Sequence, residues 1–288
     1  MTDIIDIHTH VISPDTARYP LAPLGGKQSD WSHAHPTTAE ELVAALNEGG
    51  VAKAAVVQAS TAYGFDNSYA AWSVAAFPDR FTGVFSMDMF APDAPRVFDH
   101  WVAAGLTGLR LFTTGTTQPG QAGWLADPRT FPIWERAEAA ALPVCIQMRP
   151  EGIDQLLILL DRFRRVPVIL DHLARVDLSD GAPYRNAGWL FALADRPNVV
   201  LKLTSRTVRE ASTGASRPED FFPRLVATFG ADRIAWGSNF PAEPGPMSRI
   251  LAAARDSLSC LSETDRATIF AGTARRLYPA LAGEPAHA

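Results

Sequence analysis

Two histidines near the amino end, His8 and His10, stand in an H-x-H pattern. Alternate residues of an extended strand share a face, so both imidazoles point the same way. Such a pair can chelate zinc or donate hydrogen bonds to an oxyanion. A third histidine follows an acid in VILDHLAR, where an apolar run delivers Asp171 and His172 together. That position costs stability unless the groups are partnered or used. Strand alternation sends the two side chains to opposite faces unless the strand bends, and His172 is the stronger candidate for chemistry.

Guanidinium groups accompany these histidines. Arg110 lies in GLRLF, Arg149 two residues after Gln147, Arg175 three after His172, and Arg206 and Arg209 after NVVLKL. Their planar forks suit carboxylates bidentately, whereas Arg209 reads as a solvated ion pair. Lys202 interrupts the apolar NVVLKL and fits a base, an oxyanion donor or an ion-pair partner.

The elements that must position these residues are eight Val/Ile/Leu-rich runs: 4–8, 53–59, 81–87, 107–112, 143–148, 166–172, 198–203 and 233–238. They are mostly continuous rather than alternating, the pattern of parallel strands covered on both faces. Segments of helical spacing follow Thr37, Asp93, Pro132, Pro150 and Arg217. Thr38, Asp93 and Glu151 mark starts, and Gly49, Gly105 and Gly230 mark ends. Eight strands alternating with helices, and no Gly-rich dinucleotide loop after the first, predict a single-domain α/β fold, a (β/α)8 TIM barrel over residues 1–280 with a C-terminal tail at 281–288.

Active sites of such barrels lie at the strand C-termini. Those positions here are His8 and His10, Gln58, Met87 and Asp88, Arg110, Gln147 and Arg149, Asp171 and His172, Lys202, Ser205 and Arg206, and Ser238 and Asn239. Loops 11–36, 60–67, 113–130 and 173–186 set the pocket's shape. Their Trp and Phe residues suit either a lid or a subunit interface, which leaves a homo-oligomer open.

The 26 Lys and Arg against 31 Asp and Glu give a net charge of −5. A broad attraction for nucleic acid or an anionic membrane is therefore not expected. No apolar run approaches the roughly 18 residues of a membrane span, and two cysteines, Cys145 and Cys260, argue against a disulfide scaffold. A cytoplasmic protein is expected.

Taken together, D-I-H-T-H, G-L-R-L-F, V-I-L-D-H-L-A-R, V-L-K-L-T-S, W-G-S-N-F-P and G-T-A-R-R-L-Y occur in the order found in the amidohydrolase superfamily. Over nearly its full length the chain resembles the amidohydrolase-related branch that includes 2-pyrone-4,6-dicarboxylate lactonase, sugar-acid lactonases and galactarolactone isomerase. The resemblance implies that His8, His10 and His172 surround a scissile carbonyl. It also implies that Arg110, Arg175 and Arg206 hold substrate carboxylates; Arg149, Lys202 and Gln147, at the same strand ends, are read as further substrate contacts. Two positions depart from the pattern. Asn239 stands where most members have Asp, and Gln147 where metal-binding relatives carry Lys or His.

Both are neutral, weak metal ligands, so no metal cofactor is expected. The alternative is one divalent ion, Zn or Mn, on His8, His10 and His172. An amide cannot take a proton from water at neutral pH. Either His172, Asp88 or Lys202 activates water while Asn239 orients it, or the substrate's own hydroxyl attacks. The expected activity is hydrolysis of a small anionic, carboxylated lactone. Lactone isomerisation in the same site is the second reading, ahead of a metal-dependent hydrolase or decarboxylase and of a non-catalytic dicarboxylate binder.

Overall fold

The computed structural model describes residues 3–115 and 118–283. All eight expected runs form strands: β1 (Ile5–Thr9), β2 (Lys53–Val57), β3 (Phe81–Phe85), β4 (Leu106–Phe112), β5 (Val144–Gln147), β6 (Val168–Asp171), β7 (Val199–Thr204) and β8 (Ile234–Gly237). They pair in parallel, in chain order, with helices in the crossovers. Continuous apolar sequence results because each strand packs on helices outside and on other strands inside. The inner layer holds Ile5, Ile7, Ala55, Val57, Val84, Cys145, Ile169, Val200 and Ala235, closed from below by Tyr278 and Leu281.

Local signals act where the sequence places them. Thr38 caps the helix Ala39–Gly49 in a reciprocal capping box with Glu41, and Gly50 ends it in the left-handed region. Other features were not foreseen. An antiparallel ribbon after β4 pairs Thr114–Gly115 with Gln118–Gln121, and the helix Met247–Ser257 packs against Ala39–Gly49. At the start of the segment expected to be a tail, Leu281 is buried in the inner layer and the Gly283 carbonyl accepts from Lys53. Residues 284–288, which include His287, lie outside the described residues. Among the described residues no helix is long and apolar enough to cross a membrane.

The barrel closes between β1 and the chain just beyond β8. Asn239 N donates to His8 O at 2.9 Å, and His10 N donates to Phe240 O at 2.9 Å. Below them the Asp6 carboxylate bridges the seam, accepting from His8 N and Ser238 N, each at 2.9 Å. Gly237 makes the approach sterically possible, since a Cβ there would lie 2.6 Å from that of His8. The register of β1 against β2 shifts between Asp6 and Thr9. That bulge lets Ile7 join the inner layer while the next side chain, His8, also reaches the interior. Asp6→Ala removes the acceptor of two buried N–H groups and should cost about 2–4 kcal/mol. Urea unfolding measures this, with Asp6→Asn losing less.

Candidate active site

The floor of the site is a buried ion cluster. Asp171, the last residue of β6, is fully buried and faces two cations. Arg110 Nε from β4 donates to Oδ2 at 2.6 Å, and Lys202 Nζ from β7 stands 2.7 Å from Oδ1. Burial opposes the charge on Asp171, but Lys202 and Arg110 outweigh it and hold the carboxyl well below the usual range. Arg110 also donates to Gln147 Oε1 at 3.0 Å and lies over the Phe112 ring at 4.3 Å. One anion against two cations leaves the floor with an excess positive charge.

The histidines answer to that charge. Lys202 Nζ lies 3.1 Å from His8 Nδ1. An ammonium only donates, so His8 Nδ1 accepts and its hydrogen sits on Nε2, which is buried without a protein partner. His10 is the opposite tautomer. Its Nδ1 donates to the Val57 carbonyl at 2.7 Å, which leaves the Nε2 lone pair free, and the ring stacks on Trp31 at 5.0 Å. His172 Nδ1 lies 2.7 Å from Thr204 Oγ1. The His8 ring stands 4.9 Å from each of the other two. Burial, reinforced by Arg110, lowers His10 to about 3. Burial also lowers His172 to about 3 despite Asp171, and His8 goes well below its ordinary value. All three imidazoles are neutral at neutral pH.

The expected opposition of Asp171 and His172 is relieved by a bend. His172, Leu173, Ala174 and Arg175 have φ of 54, 49, 50 and 58°, a left-handed turn without glycine. Each such residue costs roughly 1–2 kcal/mol. The fully buried Leu173 and Ala174 help to hold the turn. It puts His172 and Arg175 on one cavity wall directly above Asp171. Asn239 is also left-handed, at φ 63°, a conformation asparagine tolerates.

Above the floor opens a chamber of about 610 Å³. His10, Arg110, Gln147, His172, Arg175, Arg206 and Asn239 line it, as do Trp31, Ser60 and Thr61. Three expected positions differ. Lys202, expected to touch substrate, and His8 are fully buried beneath the chamber, because the Asp171 carboxylate and the seam hold them there. Arg149 faces a neighbouring cavity of about 540 Å³ that shares Arg175 and Arg206, and its Nε donates to Thr114 Oγ1 at 2.9 Å. Of the other strand-end residues, Asp88 is exposed beside a third, apolar cavity, and Gln58 is bound up with Gly64, Asp66 and Ser60.

Sequence reasoning missed Glu243, on the turn after Asn239, and Thr204, the partner of His172. Arg209 does form the expected ion pair, with Glu243, yet it also reaches the chamber wall. Arg175 and Arg206 each keep a buried Nε without a protein partner. Burial, then repulsion from Arg206, Arg149 and Arg110, lowers the pKa of Arg175. An anionic ligand would relieve this crowding. Among the described residues no three His, Cys, Asp or Glu side chains are arranged to hold a metal ion.

A barrel with this strand-end constellation is matched by the Amidohydrolase family model over residues 5–280. The chain belongs to that family. It is 30% identical over 122 residues to an L-fucono-1,5-lactonase of Burkholderia ambifaria, a match spanning 41% of each chain. Among solved structures, a probable 2-pyrone-4,6-dicarboxylic acid hydrolase from Acinetobacter baumannii with citric acid bound aligns with TM-score 0.75 at 19% identity. That alignment covers 97% of this chain and 100% of the other. An amidohydrolase from Burkholderia multivorans with bound zinc aligns with TM-score 0.75 at 18% identity, covering 96% and 99%. At these identities the structural likeness speaks for the fold.

Neutral burial of the histidines makes folding depend on pH. In the unfolded chain histidine titrates near 6.5, and His10 and His172 in the folded chain near 3. Between these values the unfolded chain binds more protons, so stability falls as pH is lowered from about 6.5 towards 3, by about 1.4 kcal/mol per histidine per pH unit. Urea unfolding at pH 7 and pH 5 measures the slope, which His172→Gln should make shallower.

Proposed function

We propose that this amidohydrolase opens a small carboxylated lactone by hydrolysis, without a metal. The observation that carries the reading is the pairing of a cationic chamber with neutral imidazoles around one polar floor. Arg175 and Arg206 present unpaired N–H groups that suit a substrate carboxylate, and Arg110, pinned by Asp171, presents its fork from below. The lactone carbonyl then lies toward His172 and Asn239. A neutral N–H of His172 or of the Asn239 amide serves such a carbonyl as a hydrogen-bond donor without adding charge, whereas His10, whose hydrogen is committed to the Val57 carbonyl, presents only an accepting Nε2. Each donor aimed at the developing oxyanion is worth about 10²–10³ in rate.

The residues present do not fit a divalent cation. The hydrogen on His8 Nε2 blocks that nitrogen as a ligand, Asp171 is spent on two cations, and the excess positive charge of the floor repels a metal. The lactonase and pyrone-dicarboxylate hydrolase among the similar proteins support the substrate class, as does the citric acid bound in one of them. Free Cys145 and Cys260 support a reducing compartment.

A second reading, lactone isomerisation, draws on Asn239, whose amide positions a hydroxyl but takes no proton from it. Turnover of 2-pyrone-4,6-dicarboxylate and a panel of sugar-acid lactones in ¹⁸O-labelled water, followed by NMR and mass spectrometry, separates the two. An opened acid carrying ¹⁸O is expected, and an unlabelled ring isomer would establish isomerisation. Chelation followed by dialysis should leave kcat/KM unchanged, and recovery only on adding zinc or manganese would refute the metal-free reading.

A further inference from the structure

Hydrolysis needs a group that takes a proton from water, and most candidates in this barrel are unable to serve. Both oxygens of Asp171 face cations below the chamber, Lys202 is held in the same cluster, and Asp88 borders a different cavity. A proton on His10 or His172 would set a further cation near Arg110. Among the described residues that line the chamber, Glu243 is the one carboxylate.

Its placement is built. The backbone N–H of Glu243 donates to Asn239 O at 2.7 Å, which ties the turn to the end of β8. Oε2 accepts from Ser205 Oγ at 2.8 Å and pairs with Arg209, both on the helix Ser205–Glu210. Oε1 has no hydrogen bond among the described residues. The side chain is 17% exposed, so it is fixed yet in contact with solvent. One oxygen anchors the carboxylate, and the other is free for a water.

We propose that Glu243 is the general base of this site, taking a proton from a water that Asn239 orients. This inference rests on the hydrolytic reading above. The water oxygen bonds to the lactone carbonyl carbon, the carbonyl electrons move to its oxygen, and the proton passes to Glu243 Oε1. Collapse breaks the ring C–O bond, and the leaving ring oxygen takes the proton that Glu243 holds. The product is a hydroxy acid whose new carboxyl loses its proton to solvent, with no further reactant needed. Protonation here neutralises an anion at the solvent-facing wall instead of adding a cation beside Arg110.

The test uses the full-length enzyme with 2-pyrone-4,6-dicarboxylate and L-fucono-1,5-lactone as probes. Glu243→Gln should lower kcat roughly 100-fold with little change in KM. Asn239→Asp added to Glu243→Gln should restore at least roughly tenfold, because a carboxylate then stands on the same wall. The charged groups around Glu243 are Arg209, Arg175 and Arg206 on the chamber side, and His35 and Glu41 in the cavity behind it. Of these only Arg209 pairs with it. Near-normal kcat in Glu243→Gln overturns the proposal. So does a loss that Asn239→Asp does not rescue, which assigns Glu243 a structural role. If the unsubstituted enzyme turns over neither probe, or yields an unlabelled isomer, the hydrolytic reading itself fails first.

Discussion

The site depends on one buried carboxylate. Asp171 has no access to water and is held by Arg110 and Lys202, and neither cation could stay in the barrel interior without it. Breaking such a pair by removing one partner typically costs 3–5 kcal/mol, because the remaining charge stays desolvated. The cluster's second cation is not neutralised, and that surplus reinforces the burial that keeps the three neighbouring imidazoles uncharged.

The same cluster sets the character of each histidine. Lys202 can only donate, so His8 must accept at Nδ1, whereas the Val57 carbonyl can only accept, so His10 must donate. Two residues apart in sequence, the pair therefore presents opposite hydrogen-bonding faces. Backbone strain is concentrated beside them. The β1 bulge, the seam at Gly237, the left-handed turn at His172–Arg175 and the left-handed Asn239 all lie within one end of the barrel. Unfavourable conformations gather at functional sites because the surrounding packing over-determines them, and here the packing is the buried Leu173 and Ala174 and the closing hydrogen bonds of the seam.

Much of this was legible in the chain. Eight continuous apolar runs, the caps around them and the polar residues at their ends identify a parallel barrel and name His10, Arg110, Gln147, His172, Arg175, Arg206 and Asn239, all on the chamber wall. Other residues were legible only as types. Lys202 and Arg149 are basic strand-end residues like Arg110, yet one is drawn beneath the floor by Asp171 and the other is turned toward Thr114 in a neighbouring cavity. Glu243 carries no signal, being one surface-like acid in PAEPGP until the turn from Asn239 folds it inward.

The sequence by itself determined the strand periodicity, the order of the elements and the chemical inventory at the strand ends. These depend on hydrophobic pattern and on residue type, which are local properties. Tertiary structure decided which cation meets which anion, which nitrogen of His8 and of His10 carries the hydrogen, and which carboxylate faces the chamber. Those outcomes turn on contacts between residues far apart in the chain, such as Lys202 with His8 and Arg110 with Asp171. They also turn on a left-handed turn that D-H-L-A-R does not favour locally and that only the surrounding packing can enforce.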